Sequence, residues 1–501
     1  MLAFMSENWF EKVPRVGSDA DFATLRDVLA QADYTEGGLA RRLNALNIGD
    51  YRTPASNDLA ARPVTDTLDV LILLFCDGVY VEQHVLDRLI PATGLAAMEN
   101  LGLLAGEGRR YATVAILPAG PILTICDRSD APDMTPCVWP ADVVYPATIA
   151  NSREFQRLLP QTPCDAMLDL GTGTGIAAMA AARTAGHVWG TDIAARSVLF
   201  AAFNCKLNAI ENSTVAQGDL YEAVGGLTFD RIVSHPPYVP ARQDTMIFRD
   251  AGEDGERIIR RVVEGLPEFL RPGGRFYMLV TASDREDEAF EDRIRSWLGD
   301  AQEDFDLVMV SHTLTTPKDV VGNMLAKRNT PLDDVLYRQE IWAKQKVQFL
   351  FYGTVVIQRH ADQRPPFTVR VQKGDGYRPE HAEWLLNWHN RAGDTETLLQ
   401  YRPVISPGFE LGVFHRVREG RLVPETFCLK CDGPFDAECV VQSWLAKVIS
   451  QCNGQSTWGE LMNSAKTAGI IDPATTPEEY GAVLTAMAGS GLVRIAEMPL
   501  D

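Results

Sequence analysis

The chain predicts an α/β fold, with a parallel sheet covered on both faces by helices across roughly residues 145–360. Three observations predict it. From residue 165 onward strand-like and helix-like runs alternate, the order that crossover connections impose on a parallel sheet. The strand runs are rich in Val, Ile, Leu and Phe, as burial on both faces requires. The 501 residues also exceed what one hydrophobic core holds, so further units are expected on either side.

In chain order, residues 20–135 read as short helices (DFATLRDVLAQA, DVLILLFCDG, EQHVLDRLI, GLAAMENLGLL) followed by a hairpin, YATVAILPAG and PILTICDR, turned at Ala119-Gly120-Pro121. This arrangement resembles a winged helix and predicts an N-terminal winged-helix-like domain over 1–140. The candidate recognition helix VEQHVLDRLI carries Arg88 as its only arginine or lysine, which favours packing or substrate presentation over nucleic-acid contact. The central domain, 141–362, then supplies seven strands: AMLDLG, HVWGTDI, STVAQGD, FDRIVSHPPY, GRFYMLVTA, FDLVMVSH and KVQFLFYGTVVIQRH. Long connections in compact domains are usually functional or mobile, so 313–346, between the last two strands, is read as a helical cap that helps shape the acceptor pocket, with a plain surface excursion as the alternative. Pro365-Pro366 marks a boundary, and 363–501 ends in helix, turn, helix and strand, predicting a second winged-helix-like domain.

The net charge of −20 repels polyanions and gives nucleic-acid binding no bulk support, although a local patch including Lys344, Lys346, Arg359 and Arg370 is conceivable. The start, MLAFMSENWFEKVPR, has no basic region followed by an apolar stretch, and no run of about 18 apolar residues occurs, so a cytoplasmic chain is expected with no membrane partner. Nine cysteines in mostly apolar surroundings suit reduced core thiols. Cys428 and Cys431, with Cys439 and Cys452, invite a zinc reading. However, DAECVVQSWLAKVISQC reads as one helical pattern with Cys439 and Cys452 near its ends, so core packing is preferred and no metal is expected.

The decisive segment runs from Leu168 to Gly175, LDLGTGTG, between a buried strand and an Ala-rich helix. Gly171, Gly173 and Gly175 let backbone approach a ligand closely and aim a helix N-terminus at its polar groups. A dinucleotide fingerprint would need a small residue where Ile176 stands, so S-adenosylmethionine (SAM) fits better than NAD. Asp192, ending the second strand, can accept both ribose hydroxyls; capping the following helix is its other open role. Asp219 can accept from the adenine amino group while Leu220 covers the ring, with a plain turn aspartate as the alternative. At the end of the fourth strand stands Ser234-His235-Pro236-Pro237-Tyr238. Two prolines fix φ and remove two donors, leaving carbonyls free as acceptors in a rigid clamp. Tyr238 can stack on a planar acceptor, and His235 can hydrogen-bond or deprotonate the nucleophile.

Taken together, DLGTGTG, Asp192, Asn204 and Asn208, Gly218-Asp219, HPPY and Ala251-Gly252-Glu253-Asp254-Gly255 resemble the class I SAM methyltransferases with a small methyltransferase domain. The likeness is greatest to release-factor glutamine methyltransferases and related N-methyltransferases of adenine or guanine. It covers about 145–290 well and the later strands loosely. It implies a Rossmann-like seven-stranded domain, SAM as cofactor, and a cofactor set of Asp169, Gly171, Thr172, Gly173, Gly175, Asp192, Ile193, Asp219, Leu220 and Ser234. His235, Pro236 and Tyr238 would be catalytic; Pro237, Tyr238 and Pro146 would touch substrate, because Tyr145-Pro146-Ala147-Thr148 resembles the family's segment over the cofactor. The family places Asn or Asp where His235 stands, and neutral His accepts at one nitrogen only, which puts glutamine or adenine as acceptor in question. The expected function is N-methylation of a planar amide or amine on a protein or small molecule. The alternatives are methylation of a nucleic-acid base, or a SAM-sensing winged-helix regulator.

Overall fold

The computed structural model describes residues 9–51, 53–54, 58–59, 62–135, 138–243, 245–326, 330–391 and 394–498. The chain forms two compact units, 1–279 with 329–341, and 280–328 with 342–501.

In the first unit the expected strands form a parallel sheet in the spatial order Ser213–Gln217, Ala185–Asp192, Cys164–Leu170, Phe229–Ser234 and the beginning of Leu270–Arg285. The order reverses between Cys164–Leu170 and Phe229–Ser234, where Leu170 lies opposite Ser234. Crossovers leave such a sheet on opposite faces at this point and open a crevice beyond the strand ends. The helix expected near 253–271 divides into Arg257–Glu264 and Leu266–Phe269.

Ahead of the sheet, the chain runs through helices Asp19–Gln31, Glu36–Leu43, Thr67–Leu71 (continued by a wider turn, Ile72–Asp77), Gln83–Leu89 and Ala92–Asn100. A small antiparallel sheet joins Val81–Glu82, Arg109–Ala112 and Leu104–Ala105. The predicted hairpin pairs Ala115–Ala119 with Ile122–Cys126 around Gly120-Pro121. Phe22, Leu25, Leu71, Phe75 and Leu86 share one core with Phe200, Phe203 and Leu207 of the helix Ala195–Leu207. Phe22 meets Phe203 edge-on at 4.8 Å.

Two asparagines on that helix hold the hairpin in a way that follows from geometry. Four helical residues advance about 6 Å and two strand residues about 6.8 Å, so side chains at i and i+4 can match backbone at j and j+2. Asn204 accepts from Ile125 N (2.7 Å) and donates to Ile125 O (3.2 Å); Asn208 accepts from Leu123 N (2.9 Å) and donates to Leu123 O (2.7 Å). Each amide thus imitates a neighbouring strand. Asn204 makes one bond more, donating to Thr174 O at 2.9 Å within the glycine turn. Arg196 adds a buried ion pair with Asp127, just after the hairpin.

In the second unit Phe305–Thr315 pairs antiparallel with Val347–Arg359 and parallel with Thr368–Lys373. Phe435–Val441, Arg421–Cys431 and Glu410–Arg418 follow antiparallel, the last at the edge. The Pro365-Pro366 boundary therefore falls between strands of one sheet. The expected cap contains helices Pro317–Ala326 and Leu332–Lys344; residues 327–329 lie outside the described residues. The helical reading of DAECVVQSWLAKVISQC is corrected. Its first part is the strand Phe435–Val441, with helix only over Ser443–Ile449. Cys428 and Cys431, three apart on one strand, point to opposite sheet faces and cannot share a metal. The eight described cysteines are free thiols, Cys137 lying outside the described residues. Among the described residues no helix is long and apolar enough to cross a membrane.

Replacing Asn204 with Ala strands three buried backbone groups and is expected to cost about 3 kcal/mol in urea unfolding; Asn208→Ala, at a half-exposed position, should cost about 1 kcal/mol. Equal losses would show that the bond to Thr174 carries no weight.

Candidate active site

Gly171, Gly173 and Gly175 have φ of 72°, 55° and 78°, a region L side chains rarely adopt. A Cβ at Gly171 or Gly173 would meet nothing within 4 Å, so this backbone faces open space; at Gly175 it would press on Ala201 at 3.1 Å. Beneath the turn lie two carboxylates. Asp169, fully buried, accepts the Thr172 hydroxyl at 2.7 Å. Asp192 accepts Gly173 N with one oxygen and Ala194 N with the other, both at 2.9 Å. Its cap role and a role toward a ligand are therefore compatible: an ionised carboxylate has about four acceptor positions, of which the backbone takes two and the Ser197 side chain a third. Burial raises the Asp192 pKa, against the pull of those two N–H groups and the Ser197 side chain.

Beside Asp192, Ile193 is 52% exposed, an apolar side chain left uncovered at the crevice. At the tip of the third strand Leu220 has a positive φ of 56°, and its carbonyl accepts the Thr191 hydroxyl at 2.9 Å. Both Asp219 oxygens are met by the Arg261 guanidinium at 3.0 Å, a partner the sequence reading did not anticipate.

At the reversal point Ser234 spends its hydroxyl on Leu170 O at 3.0 Å, tying the fourth strand to the first. Pro236 is buried, and His235, Pro237 and Tyr238 are partly so. The His235 ring lies between Phe155 (5.3 Å) and Tyr238 (6.0 Å), and burial pushes its pKa down to about 4. The Tyr238 hydroxyl accepts from Asn151 at 3.1 Å. Asn151 and Phe155 sit one turn apart on the helix Ala150–Leu158, both overlooked in the sequence. Tyr145 stacks on Phe248 at 5.0 Å, with Trp139 edge-on at 5.5 Å; Pro146 follows, half-buried.

The AGEDG segment braces the clamp. Val239 N donates to Arg249 O and Val239 O accepts from Ala251 N around the loop, and Gly255, at φ 77°, lies so close that a Cβ would come within 2.7 Å of Tyr238 O. Buried Asp250 gathers Thr245 N, Met246 N and the Arg249 guanidinium. Residues 329–341 of the expected cap belong to this unit: Arg242 lies 4.9 Å over the Tyr337 ring and 3.3 Å from Glu340. In the second unit, two of the four cations considered for nucleic acid are engaged by acids, Arg370 by Asp284 and Glu291 and Lys346 by Glu286, while Arg359 lies 5.9 Å over the Phe305 ring. The concavity of about 420 Å³ lined by Arg378, His381 and Arg494 belongs to that unit too and contains none of the predicted site residues.

Burial pushes Asp169 up to about 6, against the Thr172 hydroxyl. A carboxyl raised in the fold favours folding in full below its unfolded value, about 3.9, and loses that contribution as pH climbs through about 6. Asp169→Asn, which keeps an oxygen for Thr172, should therefore stabilise the ligand-free chain at neutral pH by roughly 2 kcal/mol and change little near pH 4. Thermal melts across that range test the sign; destabilisation at neutral pH would refute it.

Residues 150–299 match the family model described as a methyltransferase small domain. A Methanocaldococcus jannaschii protein, provisionally named a protein N5-glutamine methyltransferase, is 36% identical over 129 residues, 24% of this chain and 64% of the relative. A release factor glutamine methyltransferase of Xylella fastidiosa is 33% identical over 160 residues, 28% of this chain and 58% of the relative. A ribosomal protein uL3 glutamine methyltransferase of Bradyrhizobium diazoefficiens is 32% identical over 151 residues, 27% and 47% of the two chains. The chain thus spans between 47% and 64% of these relatives' length. The glycine turn, the strand-end aspartate and the proline clamp that meet at one reversal point all lie within 150–299, the stretch that matches the methyltransferase small domain.

Proposed function

We propose that this chain is a SAM-dependent methyltransferase that N-methylates a planar amide or amine on a protein or small molecule. One observation carries the reading: open, positive-φ glycine backbone, an acidic strand end and a double-proline clamp converge at one sheet crevice. The residues fit the cofactor, since side-chain-free backbone at Gly171 and Gly173 leaves room for it and Asp192, bonded to Gly173 N, Ala194 N and the Ser197 side chain, keeps an acceptor position for a ribose hydroxyl. Ile193 and Leu220 offer apolar surface to a purine, Asp219 a carboxylate to its amino group, and Asp169, Thr172, Gly175 and Ser234 hold the turn and strand ends in register. SAM, when bound, supplies the methyl group and the driving force of its transfer.

The chain's own residues then orient the acceptor and keep water out. A neutral imidazole at His235 accepts one N–H hydrogen bond, and a pKa of about 4 makes it a weak base near pH 7, so in this reading it aligns the acceptor nitrogen rather than deprotonating it. The carbonyls at Pro236 accept a further hydrogen, Tyr238 and Pro237 flank the planar group, and Pro146 closes the opposite side. Of the expected cap 313–346, the part that belongs to the first unit, 330–341, serves on the acceptor side, a role supported by the contacts of Tyr337 and Glu340 with Arg242.

The division 1–140, 141–362 and 363–501 is part of the proposal, with both flanks winged-helix-like. Helix, strand, two helices and two strands over 67–112 support this at the N-terminal side, and the last two helices with Val493–Ile495 at the other. Their role would be substrate presentation in the cytoplasm. No observation favours the nucleic-acid reading or a pure SAM sensor.

Calorimetry should detect SAM binding, weakened at least about tenfold in Gly173→Ala with the circular dichroism unchanged; silence with both SAM and its demethylated product would remove the proposal. With an acceptor in hand, kcat should show no imidazole inflection around pH 6.5. His235→Asn should leave SAM affinity intact while lowering turnover by about tenfold or more. A rise through that pH that the variant abolishes would restore His235 as the base.

A further inference from the structure

We infer that two copies of this chain pair through the strand Glu410–Arg418, edge to edge and antiparallel about a two-fold axis. This strand bonds on one side to Arg421–Cys431 and, among the described residues, to nothing on the other. Eight of its nine residues are exposed, Phe414 by 63% and Val417 by 66%. Proteins usually blunt such an edge with proline, a bulge or a cover. Here the edge strand has no proline, and the extra residue of the register shift, Glu425, lies on the inner strand.

The occupant follows from the sequence of the strand, ELGVFHRVR. Two copies related by a two-fold axis normal to the sheet keep the same faces up, so opposed residues must come from the same face, and the register using all nine residues sets Phe414 against its own copy. Glu410 then lies opposite Arg418 of the second copy, twice over by symmetry. Leu411 lies opposite Val417, and Val413 opposite His415; Arg416 meets Gly412, which presents no side chain to obstruct it. Opposite charges meet at both ends, and the Leu411–Val417 and Phe414–Phe414 pairs between them are apolar, each a favourable cross-strand pair. Leu411, Val413 and Val417 share a face, which becomes continuous with its copy. An unrelated partner would need to supply this complement; a second copy carries it already.

The test is sedimentation of the full chain from about 1 µM to about 100 µM. The wild type should approach twice the chain mass. Arg418→Glu and Glu410→Arg each oppose like charges and should weaken association at least about tenfold, while the E410R/R418E double exchange should return it to within about threefold. Opposed Cα atoms in an antiparallel pair are about 4.5–5.5 Å apart, within disulfide reach, so F414C should give a covalent dimer on mild oxidation where the wild type gives none. A monomer throughout, or a dimer indifferent to both single reversals and to F414C, overturns the inference.

Discussion

The glycine turn between the first strand and its helix can keep its shape only because buried acceptors lie beneath it. Three residues in the left-handed region turn the backbone outward, and their donors and carbonyls need partners away from solvent. Asp169 takes the Thr172 hydroxyl, Asp192 takes Gly173 N, and Asn204 donates to Thr174 O, so the first strand, the second strand and the second helix each hold one point. Gly190 belongs to the same arrangement, because a Cβ there would come within 2.9 Å of the Thr172 hydroxyl oxygen. The raised pKa of Asp169 is a consequence: a carboxylate placed where the turn needs it is one the fold would rather protonate.

Asn204 carries that constraint outward. Its amide meets the turn on one side and the Ile122–Cys126 strand on the other, so the hairpin and the turn share one buried group. A fully bonded buried amide is costly to break in part, because each orphaned group loses its solvation without recovering a partner. Within this unit, the N-terminal hairpin and the proposed cofactor turn are therefore expected to loosen together rather than separately.

The parallel sheet was legible because its strands are bounded by changes of period, from buried runs to Ala-rich helix and back, and its site because DLGTGTG and HPPY fall at strand ends. The 115–126 hairpin was equally plain, with Gly120-Pro121 turning it. Other features left no mark. Between Val441 and Ser443 neither glycine nor proline separates strand from helix, so DAECVVQSW read as one helical pattern although its burial alternates. The partners of the site residues come from elsewhere in the chain: Asn151 precedes Tyr238 by 87 residues, Phe155 precedes His235 by 80, and Arg261 follows Asp219 by 42. Only the folded crevice brings them together.

His235 is where the chain departs from its resemblance, and the physics limits what the change can mean. An imidazolium in this position would have to give up its hydration among Phe155, Tyr238 and the prolines, and burial wins, leaving the ring neutral. A side-chain amide offers an oxygen and an NH2 side by side; a neutral imidazole offers one acceptor and one donor on separate edges of its ring. Under the proposed function the clamp can therefore grip a planar nitrogen at one point where an amide would grip at two. Selection among acceptors must then fall to the surfaces around it: the Tyr145 and Phe248 stack, the Asn151-supported Tyr238, and the Arg242 and Tyr337 contact of the cap. Such a site chooses by shape more than by hydrogen-bond pattern, which suits an acceptor presented on a larger partner better than a free small amide.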